Sequence, residues 1–261
     1  MDNIKSYWDE RARLEKGSER VTTNDVYLRK LEAECVLAEL RELTRKTPVK
    51  ILDVGCGDGQ TTLSLAQHFP KFEFSAMDFS AEMIALAVAE LRSRESIQNA
   101  RFFVGDVRNL DDAIGNEKFS AIITNRCLIN LPNVGDQYHA LKEISRHLVP
   151  SGVFLGTENF IGGNRNLNDI RKLMNLPEIS VRWHNLYFEE DEFLATAGQT
   201  FSSVELVNFS SAYYYITRVV YSAYCQNIGH GPDYEHPIHE VAMRMPQMGD
   251  YSPIKLIRAR M

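Results

Sequence analysis

The 261-residue sequence has few cysteines, no long apolar run and no excess of basic residues. Its four cysteines, Cys35, Cys56, Cys127 and Cys225, lie far apart and form no C-x-x-C pair, which favours reduced thiols over disulfides or a zinc site. No apolar run approaches the roughly 20 residues that span a bilayer. The formal net charge of −6 argues against a broad surface for nucleic acid or anionic membranes.

What remains is the composition of an ordinary soluble globular protein, with 44% hydrophobic and 25% charged residues. Residues 1–17 are too charged for a signal peptide. We therefore expect a cytoplasmic monomer or homodimer without nucleic-acid or membrane partners. The length suits one large domain, or a core domain with a subsidiary lobe.

Segments typical of strands and helices alternate from residue 49 onward. Strands are predicted at 49–54, 72–78, 100–105, 119–125 and 152–158, and helices at 60–69, 81–94 and 134–147, with a turn near 109–115. This alternation predicts right-handed βαβ units and a parallel sheet. A long amphipathic helix, with Thr23 or Asn24 as its cap, is predicted before them at 24–45.

The pattern changes after residue 158. Loops and short helices, a strand near 203–209, a helix at 213–226, a loop at 228–237 and a last strand within 252–261 are predicted there. We expect one domain, 1–261, with a helical cap at 1–48, a ligand-binding core at 49–158 and substrate-side insertions with the last strands at 159–261.

The segment "DVGCGDG", residues 53–59, separates the first predicted strand from the first predicted helix of the core. Its glycines allow a sharp bend and close approach to a ligand, and the helix N-terminus that follows offers free N–H groups. A dinucleotide fingerprint would need glycine where Gln60 stands, and a phosphate-binding P-loop would need a lysine in the turn. Neither pattern is complete.

Taken with Asp53, the segment resembles the first motif of class I S-adenosylmethionine-dependent methyltransferases. Four further stretches resemble later motifs of this family in the same order: "FSAMDFSAEMIALA", "FFVGDVRNL", "AIITNRCLINLP" and "ISRHLVPSGVFLGTE". The last has Ser151 where the family has a glycine. The resemblance implies a Rossmann-like, mostly parallel seven-stranded sheet with helices on both faces, N-terminal helices, and a C-terminal insertion that forms a substrate cap.

The same resemblance implies S-adenosylmethionine as cofactor and S-adenosylhomocysteine as product. It implies that Asp78 binds the ribose hydroxyls and that Asp106 meets the adenine amino group. We further expect Tyr7 and Trp8 to fold over the cofactor as part of a lid, with plain core packing as the alternative. The full set of expected cofactor-binding residues is Asp53, Gly55, Gly57, Asp78, Phe79, Met83, Asp106, Val107, Asn125, Tyr7 and Trp8.

The acceptor is expected to bind outside the carboxyl ends of the strands. The [DN]-P-P-[YFW] motif of enzymes that methylate nucleobase or glutamine amines is absent after Asn125, which leaves a small molecule. Guanidinium groups bind carboxylate or phosphate well, so Arg126, Arg165, Arg182 and Arg218 are candidates for an anionic group. The expected substrate-binding residues are Arg126, Asn130, Glu158, Arg165, Tyr187, Tyr214 and Arg218.

His184 is the candidate general base, with His230, His236 and His239 as alternatives. A carboxylate or phosphate acceptor would need no base. The Asp-Asp-Asn set of catechol-type enzymes is not reproduced, so no metal is expected. The chain resembles small-molecule methyltransferases from bacterial biosynthetic clusters, including those that modify sugars. The resemblance and the residues above imply methyl transfer to an oxygen of a small polar, anionic or sugar-like biosynthetic intermediate. An N- or C-methyltransferase and a non-catalytic cofactor- or NAD-binding protein remain the alternatives.

Overall fold

A computed structural model describes residues 2–16, 18, 20–45 and 48–261. A seven-stranded sheet has the order β3-β2-β1-β4-β5-β7-β6. Its strands are β1 (Val49–Val54), β2 (Phe72–Asp78), β3 (Ala100–Val104), β4 (Phe119–Asn125), β5 (Leu148–Asn159), β6 (Ser203–Val207) and β7 (Ile254–Arg260). Strands β1 to β5 pair in parallel, and β7 pairs antiparallel with both β5 and β6. The predicted Rossmann-like α/β fold is confirmed.

The helices cover both faces of this sheet. They are α1 (Asp2–Leu14), α2 (Val26–Arg41), α3 (Gln60–His68), α4 (Ala81–Ser93), α5 (Leu110–Ile114), α6 (Val134–Arg146), α7 (Ile161–Leu173), α8 (Glu190–Ala197), α9 (Ser211–Tyr214), α10 (Tyr221–Asn227) and α11 (Ile238–Met243). Short 3-10 helices occupy Glu42–Arg45 and Leu128–Asn130. No helix in these ranges is both long and apolar enough to cross a membrane.

The apolar side chains of β1 point to both faces of the sheet, and helices pack on both faces. Val49 and Ile51 pack into an apolar cluster with α2 and α3, whereas Leu52 and Val54 pack into a second cluster with α6. Side chains of a strand alternate between the two faces, so a strand buried on both sides reads as a continuous apolar run. The glycine turn after β1 is thereby held between two packed layers.

The main differences between the predicted elements and the structure concern β5, the predicted helix at 213–226 and the cap of α2. Strand β5 begins at Leu148 rather than 152, because an irregular register lets "LVPSG" join the strand, with Ser151 in the left-handed region at φ 64°. The predicted helix at 213–226 is α9, a π-helix at Tyr215–Val220 and α10. Asp25, rather than Thr23 or Asn24, caps α2 by accepting a hydrogen bond from the Leu28 N–H at 2.9 Å.

Candidate functional site

A cavity of about 240 Å³ lies at the carboxyl ends of β1, β2, β4 and β5. Strands β1 and β4 are neighbours there, although β2 and β3 come between them in sequence, so the cavity marks the switch point of the sheet. The predicted site residues that line this cavity are Trp8, Asp53, Gly55, Gly57, Asp78, Phe79, Met83, Asn125, Arg126, Asn130, His184, Tyr187, Tyr214 and Arg218. Their roles toward a ligand stay predictions.

The glycine turn approaches its neighbours too closely for side chains. A Cβ atom on Gly55 would lie 2.5 Å from the Cys127 sulfur, and one on Gly57 would lie 2.7 Å from a methyl group of Thr22. Both glycines have positive φ, 74° and 54°. The turn therefore brings bare backbone to the cavity wall, as the sequence pattern predicts.

Asp78 ends β2 beside this turn. Its two carboxylate oxygens accept hydrogen bonds from the N–H groups of Gly57 and Ser80, each at 2.9 Å. Burial raises the pKa of Asp78 to about 6 despite these bonds. A carboxylate offers about four lone-pair positions, so Asp78 keeps acceptor capacity for hydroxyl groups in the cavity. This chemistry fits the ribose diol of S-adenosylmethionine.

A second, smaller cavity of about 30 Å³ adjoins the first. Its wall is mainly apolar, with Val54, Phe79 and Val107 among its residues. Asp106 also lines it, but Arg108 binds both of its carboxylate oxygens, with the Nη2–Oδ2 distance at 2.6 Å. Burial would raise the pKa of Asp106, and the Arg108 hydrogen bonds lower it overall. Asp106 is thus less available to adenine than its motif implies.

Helix α1 covers one side of the main cavity. Trp8 donates a hydrogen bond from Nε1 to Asn130 Oδ1 at 3.3 Å, and Asp9 accepts one from the Ser80 hydroxyl at 2.5 Å. Tyr7 does not line the cavity; its ring stacks on His184, with the centroids 4.6 Å apart. The expectation for Tyr7 is corrected to support of His184, whereas Trp8 stays a candidate for the lid.

Three arginines line the part of the cavity formed by the end of β4 and the C-terminal segments. Arg126 follows β4 at φ 50°, and its Nε lies 3.0 Å from Oε1 of the fully buried Glu32. Arg218 is paired with Asp25. Arg182 has no carboxylate partner within the part of the chain that the structure describes. Guanidinium groups thus converge here from separate segments.

Two predicted substrate-binding residues lie outside this wall. Arg165 is exposed on α7, forms an ion pair with Glu189 at 2.7 Å and does not line the cavity. Glu158 is fully buried, and its carboxylate accepts hydrogen bonds from backbone N–H groups of the turn after β4. The donors are Cys127 at 3.0 Å, Leu128 at 3.1 Å and Ile129 at 3.3 Å. Glu158 positions that turn and does not face the cavity.

His184 lines the cavity and is only 5% exposed. Its Nδ1 has no hydrogen-bond partner among the described residues. Burial, with Arg182 nearby, lowers the pKa of His184 to about 4. Of the alternatives, His239 is bound to the Tyr213 hydroxyl and the Asp233 carbonyl, and neither it nor His230 nor His236 lines the cavity.

The sequence prediction missed several polar residues of the wall. Asp25 and Arg29 come from the start of α2, and Asn159, which ends β5, has a buried Oδ1 without a partner among the described residues. The N-terminal position of Asp25 in a helix was a usable signal for a capping role. Nothing local in the sequence indicates that the start of α2 reaches the cavity.

Comparison with known proteins agrees with this geometry. Residues 51–152 match the family model of the methyltransferase domain. A malonyl-[acyl-carrier protein] O-methyltransferase of Bacillus cereus is 31% identical over 129 residues, which are 49% of this chain and 44% of that protein. A trans-aconitate 2-methyltransferase of Deinococcus radiodurans is 34% identical over 116 residues, which are 44% of this chain and 40% of that protein. The chain thus spans less than half the length of these relatives.

The fold is also similar to that of solved methyltransferases. A magnesium protoporphyrin IX methyltransferase from Synechocystis with bound S-adenosylhomocysteine gives a TM-score of 0.61 over 99% of this chain and 96% of that chain, at 14% identity. An S-adenosylmethionine-dependent methyltransferase from Clostridium acetobutylicum gives 0.58 over 98% and 99%, at 15% identity. At such identities the likeness concerns the fold. With the matched family model and the motif geometry, it identifies the chain as one that contains a class I S-adenosylmethionine-dependent methyltransferase domain.

Proposed function

We propose that the protein transfers the methyl group of S-adenosylmethionine to an oxygen of a small, polar, anionic molecule in the cytoplasm. The observation that carries the acceptor class is the convergence of Arg126, Arg182 and Arg218 on the cavity beside the glycine turn. The trans-aconitate enzyme among the relatives also has an anion as its named acceptor. Guanidinium recognises such groups by paired hydrogen bonds.

Two groups of residues in the cavity wall would bind the cofactor. Gly55, Gly57 and Asp78 would hold the polar atoms of the cofactor, while Phe79 and Met83 would pack on its adenine ring. The cofactor supplies a methyl group that is already activated on a sulfonium. The protein therefore mainly orients the acceptor and excludes water, which can account for much of the rate of a methyl transfer.

Trp8 and the start of α2 line the cavity together with the ends of the strands. The indole of Trp8 is tied to Asn130 in the turn after β4, so the N-terminal helix contacts both the cofactor side and the acceptor side. Such a contact would exclude water from the reacting atoms. We infer that α1 serves as the lid of this site.

Calorimetry with S-adenosylhomocysteine and NAD tests the cofactor assignment. We expect binding of S-adenosylhomocysteine and no heat with NAD, because the turn has Gln60 in place of the third glycine of a dinucleotide site. NAD binding without a response to S-adenosylhomocysteine would overturn the proposal. Chemical analysis of a methylated product separates O-transfer from the N- or C-transfer alternatives.

A further inference from the structure

We propose that the acceptor oxygen belongs to a carboxylate, so that the product is a methyl ester. This inference rests on the proposed function and narrows its acceptor. In the step, a lone pair of the carboxylate oxygen forms the O–CH₃ bond as the S–CH₃ bond breaks, and the bonding pair stays on sulfur. The sulfonium becomes a neutral thioether, and no proton is released.

A hydroxyl acceptor would have to lose a proton, and the four carboxylates in the wall of the cavity already accept hydrogen bonds or form ion pairs. One of them, Asp58, lies 3.7 Å from Arg29. Asp25 accepts hydrogen bonds from the Leu28 N–H at 2.9 Å and the Tyr213 hydroxyl at 2.6 Å, and it is paired with Arg218. Asp53 accepts a bond from Thr62 at 2.5 Å. Asp78 accepts two backbone N–H groups, and the ribose hydroxyls of the cofactor would occupy its remaining acceptor positions. Each of these carboxylates has a defined structural partner.

His184 is poorly placed to hold a proton. Its ring lies among Tyr7, Trp8 and Trp183, with centroid distances of 4.6, 5.7 and 5.3 Å. A protonated ring would be buried in this aromatic enclosure beside Arg182, with no carboxylate bound to either ring nitrogen among the described residues. Burying an unpaired charge next to a like charge is unfavourable, and the lowered pKa of His184 agrees with that geometry. His184 is a neutral group in the wall, and its Nδ1 has no partner among the described residues.

The charges in the acceptor part of the cavity favour an anion. Arg126 and Arg218 are each matched by one carboxylate, Glu32 and Asp25. Arg182 is exposed to solvent, lines the cavity as well, and has no carboxylate partner in the described part of the chain. A carboxylate acceptor supplies the missing negative charge and is nucleophilic without a base. The negative charge by which the arginines would bind the acceptor therefore also makes a general base unnecessary.

The decisive experiment tests the stability of the transferred methyl group in alkali. The full-length protein is incubated with methyl-tritiated S-adenosylmethionine and a pool of small carboxylic acids, polyols and amines, and the products are treated with sodium hydroxide. Methyl esters release volatile methanol, whereas methyl ethers and methylamines keep the label. We expect label that is released by alkali; label that withstands alkali would overturn the inference. Binding of S-adenosylhomocysteine without any transfer to the pool would instead overturn the proposed function, and the inference with it.

A binding measurement gives a second, independent result. Calorimetry in the presence of S-adenosylhomocysteine measures the affinity for the acid that becomes labelled in the pool. We expect Arg182→Gln to weaken this affinity roughly 10-fold or more, in line with a lost charged hydrogen bond, and the matched Arg165→Gln variant to leave it unchanged. Equal affinities in both variants and in the unmodified protein would contradict the role of Arg182. Unchanged affinity for S-adenosylhomocysteine shows that the variants are folded.

Discussion

Asp78 shows how one side chain can serve both the fold and the ligand. Its carboxylate fixes the glycine turn through Gly57 and the start of α4 through Ser80, and the same carboxylate lines the cavity. Asp106 is more fully used within the protein, because Arg108 donates hydrogen bonds to both of its carboxylate oxygens. Asp78, which ends β2, and Asp106, two residues after β3, therefore differ in how much acceptor capacity they present.

Replacing Asp78 by asparagine should separate these roles. The amide side chain would offer one acceptor oxygen instead of two, so we expect the affinity for S-adenosylhomocysteine to fall roughly 10- to 100-fold, the range for hydrogen bonds that involve a charged group. Calorimetry measures the change, with Asp112→Asn on α5 as a control that lies outside both cavities. An unchanged affinity in Asp78→Asn would show that this carboxylate does not contact the cofactor.

The residues that sequence alone placed at the cavity are those whose position follows from the adjacent strand. Gly55 and Asp78 directly follow or end a buried strand, so a motif and a register suffice to locate them. Arg165 and Glu158 do not line the cavity, although the sequence placed them there, because tertiary packing sets their environment. Arg165 forms an ion pair with Glu189 on the surface, and Glu158 accepts hydrogen bonds from buried backbone N–H groups. Local pattern carries no information about those distant partners.

Among the secondary-structure elements, the turn after β4 depends on a neighbouring strand for its shape. Glu158 near the end of β5 caps three successive N–H groups of this turn, and Arg126 precedes them at a positive φ that is costly for a residue with a side chain. Burial raises the pKa of Glu158 to about 7, with the three N–H groups acting in the opposite direction. The acceptor side of the site is thus held by one buried carboxyl group.

Substituting Glu158 by glutamine should loosen that turn. Glutamine keeps one acceptor oxygen but places an NH₂ group against a backbone N–H, so we expect faster hydrogen exchange of the Cys127–Ile129 amides. The KM for the acceptor should rise about 10-fold. The affinity for S-adenosylhomocysteine should fall as well, because Cys127 of this turn packs against Gly55 of the glycine turn. Glu178→Gln, at an exposed position, is the control. Normal exchange in Glu158→Gln would show that the turn holds its shape by other contacts.

Most helices and strands of the core up to β5 could be predicted from the sequence, because their apolar residues recur at regular spacing and a cap or turn marks their ends. The predicted bounds of β1, β2 and β4 match the structure, since these strands are buried on both faces and end in polar or glycine residues. Helix α11 was predicted as neither helix nor strand, because only six residues with mixed polarity form it. The π-helix at Tyr215–Val220 has no distinct sequence period, so a continuous helix was the natural prediction.

For the whole molecule, buried carboxyl groups dominate the expected response to pH. Burial raises the pKa of Glu32, Asp53 and Glu158 to about 7 and that of Asp78 to about 6. The folded protein therefore keeps protons that the unfolded chain loses at lower pH, and the free energy of unfolding should fall as pH rises from about 4.5 to 7. Histidines act in the opposite direction, because the lowered pKa of His184, and that of His239, disfavour folding below about pH 6.5.

Urea titrations at pH 6.5 and pH 8 test this balance. Over that interval the histidines contribute little, so we expect a lower midpoint at pH 8, with a smaller difference in Glu32→Gln, which lacks one of the titrating groups. A midpoint that rises with pH would contradict the assignment of protonated carboxyl groups to the folded state. The unfolding slope should be the same at both values, because the surface exposed on unfolding does not change.

The position of β7 also has a consequence for the order in which the chain acquires its structure during synthesis. Residues 254–260 form the strand between β5 and β6, and β6 pairs with no other strand of the described sheet. While the ribosome is still making this segment, the five parallel strands are already available to fold, but β6 has nothing to pair with. Its edge and the open edge of β5 are exposed until the segment emerges, and both are then covered in one step. The strand made last of the seven is thus the one that joins β6 to the five parallel strands.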